Sequence, residues 1–439
     1  MTIIFNRGLL LAKIETTFDE DAVPVPSLDA LLVAEPDFVP DITQLERDNV
    51  RTTFSNDAPI SGRKIGSMTF VHEVRNNGNT DASVSPIIGR LLQACAMAET
   101  QIETAAECLV NFDQSNGSDS ITFACSTIPT ADHTMMRRIR VEITTTGGSG
   151  VAVAAITAKA ISDNAEIRLA DTDEITLTDA QEILVHDVDG TTLFGITPTF
   201  GTDDPTAGDI FLFDILPPGY SYLPQSDLLD SITLYMYFPD DSGQSLRHIL
   251  TGARGTFTME ANANDFARFN FTFTGSFVTV TDQTTPVGSV FETQKPRQVE
   301  QAALSICEDA APFEIVNDLC AGQYTIDIGN EVVPRDCINE ANSFKGALIV
   351  GRDPTVGFDP EAVLEATNPF WAQLEASTSL DFRAKIGVDK GNLVIFQGGN
   401  TVMNSLGYTD RNSIRSYDVQ AALAAVLAAG DDELRIHFA

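Results

Sequence analysis

The side chains that could do chemistry in this chain are five histidines, six cysteines and 62 Asp and Glu. His72, His133, His186, His248 and His437 are well separated, and no HExxH places two of them on one helix face to hold zinc. Cys95, Cys108, Cys125, Cys307, Cys320 and Cys337 include no CxxC pair and no zinc spacing. No P-loop, no GxGxxG after a strand and no GxSxG nucleophile elbow is present. Neighbouring acids such as Asp203/Asp204 and Asp431/Asp432 have the chemistry of a general acid and base, but among so many carboxylates such neighbours arise by chance. Asp187-Val-Asp189-Gly190 looks like the start of a calcium loop, yet the further ligands and the closing Glu are missing. The residues therefore support no catalytic site, no metal and no cofactor, and an enzyme is not expected.

Charge narrows the partners. The acids face only 27 Lys and Arg, for a formal net charge of −35. Proteins that grip duplex DNA neutralise its phosphates with basic clusters, so this chain is expected to repel DNA. A conduit through which DNA must slide without sticking would want that property. Acidity for solubility, or for a salty host, is the plain alternative. Basic-aromatic interleaving for single strands is missing too, and the lone Trp371, in the apolar run Pro369-Phe-Trp-Ala-Gln-Leu, reads as a core residue. The N-terminus lacks a multi-basic start and a small-residue cleavage site, and no 18-residue apolar stretch exists. Neither a signal peptide nor membrane insertion is expected. Cys95 and Cys108 read as small core residues, and the odd number in the later group argues for reduced thiols and assembly in a cytoplasm.

The chain has 439 residues, 43% of them hydrophobic, enough for two or three cores. Residues 1–45, with Pro24, Pro26, Pro36 and Pro40, read as an extended arm, and 46–62 as a long loop. Residues 63–75 alternate, putting Met68, Phe70, His72 and Val74 on one face of a half-buried strand, with His72 a core histidine. Ser85-Pro86 is expected to open a helix carrying Ile88, Leu91, Leu92 and Cys95. Residues 112–218, with short alternating runs and frequent turn signals, read as a small β-sandwich. A firm β pattern returns at 231 and is clearest over 266–281, where Phe269, Phe271, Phe273 and Phe277 oppose Arg268, Asn270, Thr272 and Thr274. Residues 285–340 give no sharp reading. Strands are expected at 343–350, 378–387, 392–396 and 434–438, with helices after Asp359-Pro360-Glu361 and over Tyr417 to Ala429.

In this order the residues resemble a known family. Pro59-Ile-Ser-Gly-Arg63-Lys-Ile-Gly66-Ser-Met-Thr-Phe-Val, then Gly89-Arg90-Leu-Leu-Gln-Ala-Cys-Ala-Met-Ala-Glu99, resemble the opening of the tail tube (major tail) proteins of long-tailed siphophages. Thr233 to Phe238, His248 to Gly255, Phe271 to Gly275, Gly351-Arg352-Asp353-Pro354, Leu380 to Gly387, Gly391-Asn392 and Gly430 to Leu434 continue the resemblance. It spans roughly residues 1–111 and 219–439. Residues 112–218 depart from it as an inserted β-sandwich decoration, and 285–340 is longer than the minimal pattern.

The resemblance implies a mainly β fold, a β-sandwich or barrel-like tube domain with a flanking helix, over 46–111 and 219–439. It implies a structural virion protein that stacks as hexameric rings into a hollow tail tube. Its partners would be itself, the tail tip and tail terminator proteins, and the tape measure protein and then DNA inside the lumen without specific binding. Assembly would take place in the host cytoplasm. The arm and the loop would bridge rings, with Arg47, Arg51, Asp57, Arg63 and Lys64 as candidate inter-ring residues. Arg268, Asn270, Thr272 and Thr274 would face the lumen; a solvated outer face is the alternative for that row. Competing readings are the inner tube of a contractile injection machine, usually short and undecorated; a tail terminator, usually small; an acidic cell-surface carbohydrate binder; and a hydrolase with an unrecognised site.

Overall fold

The structure, a computed structural model, describes residues 7–78, 83–102, 108–114, 121–127, 137–148, 150–160, 166–167, 175–186, 192–201, 205–299, 304–308, 317–340, 343–387, 389, 391–426 and 429–439. The fold is mainly β, with 58% of residues in strands, and the described residues hold only 3 helices, all short.

Two-residue periodicity builds the centre. In the strand Ile60–Glu73, Met68, Phe70 and His72 are buried, while Ser67, Thr69, Val71 and Glu73 are not. It pairs antiparallel with Arg268–Thr284, Phe70 opposite Phe271 and Met68 opposite Phe273. On the other side of that strand lies Gln244–Asn262, with Phe257 opposite Phe271 and Met259 opposite Phe269. Phe257, Phe269 and Phe271 meet with ring centroids 5.4 to 5.9 Å apart. A slip of one residue would turn this phenylalanine row to water, so the buried face specifies the register.

From Gln244–Asn262 the sheet spreads two ways. Its first half pairs with Ile232–Pro239, which pairs in turn with Leu9–Ile14. Its end pairs with Ala321–Asp327, and Thr355–Pro360, Ile414–Leu423 and Val394–Arg411 follow in order. Val394–Arg411 also pairs with Ser379–Ile386 and with Arg435–Phe438, next to Gly219–Pro224. This 17-stranded sheet folds back over one large core, in which Phe269 meets Phe396 at 6.3 Å. Each such phenylalanine contributes about 2–3 kcal/mol by burial.

Between Cys108 and Ile215 the chain builds separate sheets of six and three strands around their own core of Ile139, Val141, Ile143, Ile156, Leu177 and Ile196. The strands on either side, Met97–Ile102 and Gly219–Pro224, pair with each other. The segment thus leaves and re-enters the main sheet between adjacent strands.

Several expectations fail. Residues 1–45 are not an arm throughout: Leu9–Ile14 is an inner strand with Leu10 and Leu11 fully buried. Pro24 and Pro26 fall after it, the latter opening the short helix Pro26–Asp29, where no ladder N–H is needed. The flanking helix is only Gly89–Gln93 and has no side-chain cap; Ser85 instead donates to Glu99 Oε2 at 2.7 Å. The segment expected as a helix from Tyr417 contains the strand Ile414–Leu423, with Tyr417, Val419, Ala421 and Leu423 all facing the core. Pairing on both sides outweighs the helix propensity of its alanines. No helix starts at Asp359-Pro360-Glu361; the third is Phe370–Ala376. Trp371 is 37% exposed and lies 5.8 Å from the Tyr408 ring, not in the core.

Candidate functional site

The sheet's outward face is one candidate. Arg268, Asn270, Thr272 and Thr274 stand on the solvent side of their strand, half-buried or exposed, opposite the buried phenylalanines. The register places Glu73, Val71, Thr69 and Ser67 beside them on one flank. On the other flank, Glu260, Thr258 and Thr256 lie opposite Arg268, Asn270 and Thr272, and Thr325 and Asp327 extend the Glu260 and Thr258 rows onto a further strand. Asn270 Nδ2 donates to Glu260 Oε1 at 3.2 Å and to Thr258 Oγ1 at 3.4 Å. Arg268 is held by both oxygens of Asp265, at 2.8 and 2.9 Å. That bond lowers the Asp265 carboxyl and raises the Arg268 guanidinium from their ordinary values. In these rows Arg268 is paired with Asp265, Arg254 opposite Thr274 is buried against backbone carbonyls, and hydroxyls, an amide, carboxylates and Val71 make up the rest. Such a surface offers phosphates no counter-charge.

A protruding hairpin is the second candidate. Ala34–Leu45 and Ile60–Glu73 pair over most of their length, and Glu46 to Pro59 connects them. Arg51 and Asn49 both engage Asp57, the latter at 2.5 Å. Arg63 lies in the strand rather than in the loop and bonds Asp336 at 2.7 Å. Lys64, half-buried, is its neighbour on that strand. Arg47 is exposed in the connection, and Val50 and Phe54 are fully exposed. The five candidates thus divide: Arg47, Arg51 and Asp57 sit in the connection, Arg63 and Lys64 on the hairpin stem.

At the hairpin's base lies a feature the sequence reading missed. Leu9, Leu31, Leu32, Pro36, Met236 and Phe291 line most of a cleft of about 300 Å³, with Glu35 on its rim. Glu35 takes φ +49°, and the ladder breaks register between Ala34 and Asp37. Left-handed φ is costly for a residue with a Cβ, and a bulge re-aims the chain, which opens the cleft. The exposed Val50 and Phe54 were legible as apolar residues in a polar loop. The cleft was not, because its walls come from residues far apart in sequence.

Two packed details explain other parts of the sequence pattern. A Cβ at Gly89 would lie 2.0 Å from Tyr222 Oη, and that hydroxyl donates to Glu99 Oε2 at 2.5 Å. Glu15, buried, accepts from Ser231 Oγ at 2.6 Å, Thr233 Oγ1 at 2.8 Å, and the backbone N–H groups of Gly252 and Asp19 at 2.8 and 2.9 Å.

Three histidines, His72, His248 and His437, serve packing. His72 Nδ1 donates to the Glu73 carbonyl at 2.7 Å and His437 Nε2 to the Pro217 carbonyl at 2.8 Å, both rings fully buried. Burial holds each near pKa 3. His248, lowered by burial, stacks on Phe38 at 4.6 Å. Among the described residues no three of His, Cys, Asp and Glu come together to hold a metal. Asp187 to Gly190, the calcium-loop resemblance, and His133 lie outside the described residues. Cys95 is buried, with its thiol pushed up by burial, and Cys320 and Cys337 are free. No protein-family model and no curated protein matches the chain.

Proposed function

We propose that this chain is the tail tube subunit of a long-tailed bacteriophage, stacking as rings, hexameric by the resemblance, around a channel for DNA. The observation that carries the reading is the Ala34–Glu73 hairpin, which projects fully exposed Val50 and Phe54 on a 46–59 connection. Large apolar side chains held out in water gain by burial against a partner. The outward rows around Thr272 support the reading from the other side: neutral or acidic, they suit a wall past which DNA slides.

Under this reading the rings meet the tail tip and tail terminator proteins at the ends and enclose the tape measure protein, then DNA. The subunit assembles in the host cytoplasm and ends in the virion tail. The inserted 108–215 sheets argue against the inner tube of a contractile machine, whose subunits are usually undecorated. The exposed Trp371–Tyr408 pair favours a carbohydrate-binding alternative, but Arg415 already covers the Tyr408 ring at 4.5 Å.

Negative-stain electron microscopy of the purified chain, concentrated with and without magnesium, tests the proposal. Stacked rings with a bore wide enough for duplex DNA are expected. A compact monomer that binds a sugar tightly would sink it.

A further inference from the structure

We propose that the apolar triplet Ile3-Ile4-Phe5 folds back at Asn6-Arg7 and seats in the Leu9/Leu31/Leu32/Pro36/Met236/Phe291 cleft of its own chain, closing it in the isolated subunit. The contact is made within one subunit and does not depend on the tube reading.

The cleft marks a place where the sheet is one segment short. Leu9–Ile14 is paired along its whole length with Ile232–Pro239 on one side, but on the other Ala30–Leu31 accompanies only Leu10 and Leu11. From Ala34 the chain pairs with Ile60–Glu73 instead, so Gly8, Leu9 and residues 31–36 are left lining an opening of about 300 Å³. Residues 1–6 lie outside the described residues and join the fold at this point. Arg7 Nη1 donates to the Asp240 carbonyl at 3.2 Å, and a Cβ at Gly8 would lie 3.9 Å from Pro36 Cγ. The chain therefore enters against the wall of the cleft. An extended chain advances at most about 3.5 Å per residue, so Phe5, Ile4 and Ile3 all lie within roughly 18 Å of Gly8. Asn6 is a residue type that favours the turn needed to bring them back.

Chemistry matches segment to cleft. The walls are mainly aliphatic and aromatic, and Ile3, Ile4 and Phe5 are three large apolar residues in succession, a run that gains by leaving water. β-branched Ile also suits an extended segment laid beside Gly8 and Leu9. Residues 1–6 carry no acid, so in a chain of net charge −35 they approach exposed Glu35 on the rim without repulsion. Tethering decides between occupants. A short tether holds a segment near its site at an effective concentration on the order of millimolar, about a thousandfold above a second copy present at micromolar concentration. The same run from another molecule therefore loses to the run already beside the cleft.

Tryptophan fluorescence tests the contact, because Trp371 is the chain's one tryptophan. The full chain carrying Phe5→Trp and Trp371→Phe is measured at a concentration where sedimentation shows single copies. Its emission is expected to be blue-shifted, and several-fold less quenched by acrylamide, relative to the same chain unfolded in urea. Adding Leu32→Asp, on the exposed part of the wall, is expected to return the indole to the quenching of the unfolded chain with the circular dichroism unchanged. Ile338→Asp, exposed on another hairpin, is expected to leave it shielded. An indole as quenched as in urea, or shielding indifferent to Leu32→Asp, would overturn the contact. Shielding that appears only once copies associate would overturn it too, by assigning the cleft to a second copy. A measurement without the indole runs in parallel: deleting residues 2–6 is expected to raise the binding of an apolar dye several-fold, and Leu32→Asp in the shortened chain to abolish the gain. Dye binding unchanged by the deletion also overturns the contact.

Discussion

Acid should unfold this protein through two buried histidines, and the size of the effect follows from their surroundings. His72 Nδ1–H is spent on the Glu73 carbonyl, and its Nε2 lies buried with no partner in the apolar wall beside the phenylalanine row. Protonating Nε2 would place a charge where desolvation opposes it most and the Arg75 charge opposes it further. His437 is in the same position: Nε2–H goes to Pro217, Nδ1 is buried and unpaired, and burial, with Arg435 nearby, disfavours the cation. Each ring titrates near 3 when folded and near 6.5 when unfolded. A base whose folded pKa is depressed leaves the unfolded state holding more protons between those values. Stability is therefore whole above about pH 6.5 and declines as pH falls toward 3. At pH 5 the loss is about 2 kcal/mol per histidine, roughly 4 for the pair, out of a total of about 5–15 for a typical domain.

Relief of repulsion among the carboxylates works in the opposite direction, so the histidine contribution has to be isolated. His72→Gln can donate to the same carbonyl and does not titrate. Urea unfolding of wild type and variant at pH 7 and pH 5 gives the comparison. The variant should lose about 2 kcal/mol less than wild type over that interval. Equal losses would show that His72 does not couple folding to pH and would refute the burial argument.

Further outcomes follow from the same contacts. Glu15→Ala should cost about 3 kcal/mol or more in chemical denaturation, because it strands the Ser231 and Thr233 hydroxyls and two backbone N–H groups. Phe271→Ala should cost about 3–5 kcal/mol and lower the melting temperature of the main sheet, leaving the separate 108–215 core less affected. Replacing Arg47 to Ala58 by Asn-Gly should preserve the circular dichroism spectrum and abolish stacking in sedimentation, since this connection contributes little to the core. Thr272→Arg should still assemble but retain DNA in a salt-sensitive way, measured by co-sedimentation at two ionic strengths, if its row faces the channel.

How much of this was legible in the sequence depends on how local the deciding interaction is. The alternation of Met68, Phe70 and His72, and of Phe269, Phe271 and Phe273, determined by itself which side of two central strands is buried, because a strand exposes every second side chain to one environment. The turn-rich alternation after residue 112 likewise separated a second β unit from the first, and the acid excess set the sign of the net charge.

Only the tertiary structure decided the rest. Leu9–Ile14 lies ahead of acidic and proline-rich sequence, and its place beside Ile232–Pro239 comes from a partner more than two hundred residues away. Tyr417 to Leu423 has alanines that favour a helix and a two-residue apolar period that favours a strand; the neighbours Val394–Arg411 and Thr355–Pro360 settle the contest. Glu15 looked like one acid among many until four donors converged on it. The cleft at the hairpin base exists only where residues 9, 31–36, 236 and 291 meet. Periodicity and charge act over a few residues and can be read along the chain; pairing and enclosure are made between distant segments, and folding alone brings those together.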